Sequence, residues 1–155
     1  MIFKTSLSVG GTGMLAGATH WLCAQSQQTL IVSRHADSFA ARLARAAAVR
    51  ADWDSADFRA ILERAVGGAS VEAALLWLHD PGPVLAWLAP LLKGARTVLV
   101  LGSTHAMADD TDGIAIVRLG RIGTPEKWRW LTHDEIAHGA IAALKDGRSR
   151  DVGLV

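Results

Sequence analysis

Apolar runs bounded by turn residues alternate along this chain with longer stretches whose apolar positions recur at helical spacing. Residues 2–9 read as a first strand, and residues 13–26 as a helix with Leu15, Ala18 and Leu22 on one face. Thr29 to Ser33 predicts a short buried strand. Over residues 36–47, Phe39, Leu43 and Ala46 face inward while Arg42 and Arg45 face outward, which predicts a second helix. A brief strand at Ala48–Ala51 ends at Asp52, and residues 55–66 carry Phe58, Ile61, Leu62 and Ala65 in helical step. Val71–Leu78 and Thr97–Leu101 supply strands four and five, with an apolar helix at 83–92 between them. Strands that are apolar throughout and separated by helices indicate a parallel sheet covered on both faces, hence an α/β fold. No repeat or linker divides it, so residues 1–155 are expected to form one domain.

After strand five the pattern changes. Ser103 to Gly113 is only eleven residues, rich in Asp and Thr, before the strand-like run Ile114 to Ile122. A parallel crossover normally takes a dozen or more residues. The sixth strand is therefore expected to be an antiparallel edge, or to be reached by an abbreviated connection. The last helix, 133–145, opens with Thr132-His133-Asp134-Glu135, a capping box. Trp128 and Trp130 alternate just before it and are expected to cover the core edge.

The first strand runs straight into Gly10-Gly11-Thr12-Gly13-Met14-Leu15-Ala16-Gly17, and a helical pattern follows at once. Strand, tight glycine turn and helix N-terminus together make a cradle for a diphosphate. Glycines let the backbone approach the anion, and unpaired N–H groups with the helix dipole favour negative charge there. The spacing is Gly-x-x-Gly-x-x-Ala rather than Gly-x-Gly-x-x-Gly, with Ala16 small enough for close helix–strand packing. A glycine-rich turn without a ligand is the plainer alternative.

Composition narrows the classes. Half of the residues are hydrophobic and 20% are charged, the profile of a well-buried globular chain. The net charge of +1 gives no general attraction to nucleic acid or anionic membrane. No apolar segment approaches the roughly 18 residues of a membrane span. The early glycines interrupt the apolar core that a secretory signal needs. Cys23 is the only cysteine, so no internal disulfide can form; the cytoplasm is the natural compartment, and a small buried hydrophobe the natural role.

In a two-strand mononucleotide unit, the residues ending strand two lie beside the adenosine ribose. An acidic residue there favours NAD; this chain has Ser33-Arg34-His35. The planar fork of Arg34 can pair with a 2′-phosphate and Ser33 can add a hydroxyl, so NADP is preferred and NAD remains open. Arg34 as a plain solvated residue is the competing reading. Asp52, with Trp53 beside it, is placed to meet the adenine edge, or else to cap the helix that follows.

Taken together, Val9-Gly10-Gly11-Thr12-Gly13-Met14-Leu15, Val32-Ser33-Arg34 and Asp52-Trp53-Asp54 resemble the short-chain dehydrogenase/reductase superfamily, especially its extended and atypical branches. The resemblance covers residues 2–103 and returns loosely in Ile116–Leu119 and at the start of the last helix. It implies a doubly wound, Rossmann-like sheet of order 3-2-1-4-5-6, NAD(P) at the carboxyl ends of the strands, and a dimer. It assigns the cofactor to Gly10, Gly11, Thr12, Gly13, Met14, Leu15, Ser33, Arg34, His35, Asp52 and Trp53. The chain departs from the family at the proton donor. Family enzymes use a Tyr-x-x-x-Lys pair, and this chain contains no tyrosine. The Asn-Ala-Gly element usual after strand four appears as Leu78-His79-Asp80.

His79, Ser103 and His105 are expected beyond the ends of strands four and five. Ser103 matches the family's serine, which hydrogen-bonds a substrate carbonyl. His79 or His105 can stand in as proton donor, since histidine titrates near neutral pH. Each also reads as a residue that satisfies loop backbone groups. Asp109, Asp110 and Asp112 lack the ligand set of a calcium loop. His133 and His138 stand five apart, not the four a zinc helix needs, so they read as helix-surface residues and no metal is expected. The helix at 83–92, apolar nearly all round, is expected to pair two copies. The functional expectation is an NADP-dependent oxidoreductase of a small carbonyl compound; the alternative is an NADP(H)-binding sensor or accessory subunit without turnover.

Overall fold

The computed structural model of the chain describes residues 2–103 and 113–155. In chain order the elements are β1 (Phe3–Val9), α1 (Ala16–Ala24), β2 (Ser26–Ser33), α2 (Ala36–Ala40), β3 (Ala46–Arg50), α3 (Phe58–Gly67) and β4 (Ala73–Leu76). They continue with α4 (Pro81–Leu88), β5 (Arg96–Gly102), β6 (Ile114–Leu119), β7 (Arg121–Gly123), β8 (Trp128–Trp130), α5 (His133–Asp146) and β9 (Arg150–Val152). Seven strands form one sheet in the order β3-β2-β1-β4-β5-β6-β9, and every neighbouring pair in it is parallel. β7 and β8 form a separate antiparallel hairpin.

The continuous apolar strands do what their composition requires. Leu7, Leu75 and Leu99 have no exposed surface, because helices cover both faces of the sheet. On one face Phe58 and Leu62 of α3 and Leu85 and Leu88 of α4 pack over Leu7, Leu76 and Leu99. On the other, Leu22 of α1 and Ala140 and Leu144 of α5 pack over Leu75, Val98 and Val117. α1 and α5 approach closely, since a Cβ at Gly17 would stand 3.0 Å from that of Ala137. Smallness at Gly17 thus serves the packing of helix on helix.

The sixth strand is parallel, which corrects the expected antiparallel edge: Thr97 to Gly102 pair in register with Ile114 to Leu119. The connection is long enough to allow it. Eleven residues span up to about 36 Å, more than enough to return along a six-residue strand of about 20 Å. The near-complete burial of β6 is also the pattern of a parallel, two-sided interior strand.

Three further differences have physical causes. α2 stops at Ala40 although the alanine-rich sequence favours helix to residue 47. Arg45 turns the chain at φ +61°, and its carbonyl accepts from Thr29 N–H at 2.9 Å, so Ala46–Arg50 enter the sheet as its edge strand. Sheet pairing here overrides local propensity. The run 114–122 breaks at Gly120, where a Cβ would lie 2.0 Å from the carbonyl oxygen of Leu154. Finally, Trp128 and Trp130 do not cover the core edge. They sit on the hairpin 43% and 66% exposed, ring to ring at 4.9 Å, with the Arg121 guanidinium over Trp128.

The α5 capping box forms as the sequence indicates. Thr132 Oγ1 accepts Glu135 N–H at 3.2 Å, and Glu135 Oε1 accepts Thr132 N–H at 2.9 Å. Arg129 donates to both carboxylate oxygens of Glu135, at 2.7 and 3.2 Å. These bonds, Arg129's foremost, hold the Glu135 carboxyl down to about 2. A depressed carboxyl stabilises above its ordinary value and loses that contribution as pH falls through the folded one. Amide exchange in the first turn of α5 should therefore accelerate, relative to the helix centre, as pH falls from about 4.5 towards 2. Glu135→Gln should abolish that dependence.

Candidate functional site

In a parallel sheet all carboxyl ends lie along one edge, and ligands bind where the connections part to opposite sides. Here that point is the end of β1, flanked by β2 and β4. Gly10 N–H donates to Val32 O at 3.0 Å, and Trp77 N–H to Val9 O at 2.8 Å, so the glycine turn leaves the sheet at its centre.

Each glycine of the turn has its own reason. Gly10 takes φ +71°, and a Cβ there would meet Trp77 O at 2.4 Å and the Trp53 ring at 2.9 Å. A Cβ on Gly11 would meet Ser8 Oγ at 2.2 Å and Thr19 Oγ1 at 2.4 Å. Those hydroxyls are fully buried, bonded to each other at 2.9 Å, and Thr19 Oγ1 donates to Gly11 O at 2.7 Å. The turn is thus pinned from beneath by two side chains. Gly13 is different: an added Cβ would meet nothing within 4 Å, so its backbone opens outward.

α1 begins later than the pattern suggested, at Ala16, with no side-chain cap and no acidic residue in its first turn. Ala16 N–H closes onto Gly13 O at 2.9 Å. Among the described residues, the N–H groups of Gly11, Thr12, Gly13, Met14 and Leu15 find no acceptor. Donors left open at an uncapped helix start, over an outward-facing glycine, suit a diphosphate in both charge and space.

Two clefts adjoin the turn. The first, about 230 Å³, is lined by Gly10, Thr12, Gly13 and Met14 on one side and by Ser33, Arg34, His35, Asp52, Trp53 and Trp77 on the other. Ser33 Oγ is held 2.9 Å from Thr12 Oγ1 and accepts His35 N–H at 3.0 Å, locking the end of β2 to the turn. Asp52 does not cap α3. It closes a turn on Asp54 N–H at 3.0 Å, and the helix starts only at Phe58. The Trp53 ring lies against Gly10 and stacks at 6.1 Å on His79. The second cleft shares Thr12, Gly13 and His35 and adds His20, Ser38, Phe39 and Arg42. Leu15 is fully buried and lines neither cleft, so its side chain is part of the core.

The proposed chemistry residues are not gathered in one place. His79 stands with Trp53 beside the first cleft. Ser103 lines a separate cleft of about 420 Å³ over the ends of β5 and β6, with Met14, Trp130 and His133. Met14 lines both clefts, so they adjoin at that residue. His105, Asp109, Asp110 and Asp112 lie outside the described residues. Among those described, no three of His, Cys, Asp and Glu group to hold a metal. Cys23 is buried, and burial pushes its thiol up, as suits an unreactive core residue.

Trp77, Arg42, Trp130 and His133 were not legible as site residues. Trp77 read as strand interior and Arg42 as an outward helix position; only the shortened β4 and α2 place them at the clefts.

No family model and no curated protein matches the chain by sequence. Solved structures do match by shape. A short-chain dehydrogenase/reductase family protein is 16% identical with a TM-score of 0.67, covering 97% of this chain and 95% of that one. The chain has the short-chain dehydrogenase/reductase fold. An alcohol dehydrogenase from the archaeon Thermococcus sibiricus, complexed with 5-hydroxy-NADP, is 14% identical at a TM-score of 0.64 (98% and 96% covered). A 3-ketoacyl-(acyl-carrier-protein) reductase from Brucella melitensis, complexed with NADH, is 16% identical at 0.63 (97% and 96% covered). Among the described residues, no helix is long and apolar enough to cross a membrane.

Proposed function

We propose that this chain is an atypical short-chain dehydrogenase/reductase that binds NADP(H) and reduces a small carbonyl compound. The observation that carries the reading is the glycine turn. Its open N–H groups, uncapped helix start and unobstructed Gly13 backbone stand at the end of the central strand of a sheet whose structural neighbours include proteins complexed with 5-hydroxy-NADP and with NADH. Residues 10–15 would hold the diphosphate, Asp52 and Trp53 the adenine side, and Ser33, Arg34 and His35 the ribose.

The preference for NADP rests on charge. Arg34 and Arg42 flank Thr12, Gly13 and His35 in adjoining clefts, and among the described residues no carboxylate lines the second of them. Guanidinium forks match a phosphomonoester. When bound, the nicotinamide would supply the reducing equivalent; the part left to this chain would be to orient a carbonyl oxygen, for which Ser103, in the cleft over the ends of β5 and β6, is the candidate.

The absence of tyrosine favours a second reading, an NADP(H)-binding sensor or accessory subunit. Titrating NADPH and NADH against the fluorescence of the six tryptophans tests the shared premise, because Trp53 and Trp77 line the first cleft. Saturable quenching, tighter for NADPH, is the expected result, and no response to either would remove both readings. Consumption of NADPH over aldehydes, ketones and quinones then separates them; binding without turnover leaves the sensor.

The single buried thiol suits a reducing compartment such as the cytoplasm. A homodimer through residues 83–92 belongs to the proposal too, supported by Leu91, just beyond α4, at 39% exposure, although Trp87 is already edge-on to Phe58 at 6.2 Å. A solution mass that stays monomeric at high concentration would dismiss it.

A further inference from the structure

The hairpin of β7 and β8 has one finished edge and one open edge. Arg121 N–H donates to Leu154 O at 3.0 Å and Leu154 N–H to Arg121 O at 2.7 Å, so the backbone of Arg121 points away from β8. At the turn, Thr124 and Lys127 exchange both backbone bonds, at 2.9 and 3.2 Å. Antiparallel pairs alternate between bonded and non-bonded. Ile122 and Arg129 therefore bond each other, and Trp128 and Trp130 turn their N–H and C=O groups outward. Among the described residues those outward groups find one partner, the Arg129 side chain on Trp130 O at 3.1 Å. That oxygen keeps a second lone pair.

The faces of the hairpin differ as well. Ile122 packs on the core and Arg129 holds Glu135. Trp128 and Trp130 share the opposite face with Arg121, and both indoles are exposed. An open edge is normally blunted by an outward lysine, a proline or a bulge. Here the edge strand presents two tryptophans instead.

We propose that β8 docks on β8 of a second copy of this chain, antiparallel about a two-fold axis at Arg129. Trp128-Arg129-Trp130 reads the same in both directions, so Trp128 of each copy meets Trp130 of the other and exchanges both backbone bonds with it. This is the antiparallel register that sets a tryptophan opposite every tryptophan, and aromatic pairs across strands favour it. The charges are complementary too: each Arg129 faces its copy, and each is matched by its own Glu135. Trp130 lines the cleft over the ends of β5 and β6, so the second copy adds its Trp128 to the rim of that cleft. The contact uses none of residues 83–92 and does not depend on what either cleft binds.

Sedimentation of the whole chain over a dilution series up to about 1 mM should show monomer passing to dimer, as suits a small interface. Amide exchange at Trp128 and Trp130 should slow as concentration rises, while Arg129, bonded to Ile122 in its own copy, stays protected throughout. Arg129→Cys should link two copies on mild oxidation, because opposed non-bonded residues stand about 4.5 Å apart at Cα. Lys127→Cys, about 14 Å from its copy, should not, and Cys23 is buried out of reach. Trp128→Pro should weaken the dimer about tenfold, since proline removes an outward N–H and leaves the β7 ladder whole. Trp128→Lys keeps that N–H and should weaken it as well, which separates lost docking from a misfolded proline variant. A monomer throughout, a dimer with unprotected Trp128 and Trp130 amides, linkage at residue 127 in place of 129, or full association in Trp128→Lys would overturn the proposal.

Discussion

A Gly11→Ala protein is expected to lose about 3 kcal/mol of stability, while Gly13→Ala should fold as well as the parent. The new methyl at residue 11 would have to enter a space where Ser8 Oγ and Thr19 Oγ1 stand 2.2 and 2.4 Å away. Neither hydroxyl can retreat, since both are fully buried and bonded to each other. Overpacking costs about 1–3 kcal/mol, and displacing Thr19 would also strand a buried hydroxyl and Gly11 O, about 1–3 kcal/mol more. For a chain of this size the midpoint of thermal unfolding should fall by roughly 6–12 °C. At Gly13 the methyl meets open space, so stability should hold; dinucleotide affinity should nevertheless drop about tenfold, because the methyl would occupy the space the proposal gives to the diphosphate. Equal melting of the two variants would show that the buried hydroxyl pair does not set the turn. Unchanged NADPH affinity in Gly13→Ala would place the diphosphate elsewhere.

Replacing both Arg34 and Arg42 with alanine should erase the preference for NADPH over NADH. Both side chains are exposed, so each pairing with a phosphomonoester is worth the low end of a charged hydrogen bond, about 1.5 kcal/mol. That is roughly tenfold each and about a hundredfold in the ratio of affinities for the double variant. NADH binding should stay within about twofold, as neither arginine is needed for the diphosphate. The ratio comes directly from paired fluorescence titrations. A ratio unaltered in the double variant would take both residues out of cofactor selection.

Much of this architecture can be derived from residues alone. The apolar runs around Leu7, Leu75 and Leu99 have no polar face, so they require cover on both sides and hence a parallel, helix-flanked sheet. The Thr132–Glu135 box declares the start of α5 because both capping partners are local in sequence. The glycine turn declares itself for the same reason: strand, turn and helix start are consecutive. The site was legible only where it is built from such local units. Ser33, Arg34, Asp52 and Trp53 come to the turn because β2 and β3 pair beside β1, and that adjacency entered through the family resemblance.

What escaped the sequence depends on partners far away in it. Ala46 and Ala47 favour helix, yet pairing with Thr29 and Leu30 draws them into the sheet's edge strand. Arg42 consequently falls at a cleft beside Thr12 and Gly13 and not on a solvated helix face. The direction of β6 is settled by in-register bonds to Thr97–Gly102, which a count of connecting residues does not contain. Likewise the exposure of Trp128 and Trp130, and the placement of Ser103 and His133 along one cleft, follow from where the hairpin and α5 dock. Sequence by itself determined the periodicities, the turn chemistry and the helix cap, all short-range steric and hydrogen-bonding preferences. Tertiary structure alone decided which strands run side by side and which side chains share a cleft, because those depend on burying apolar surface between segments many residues apart.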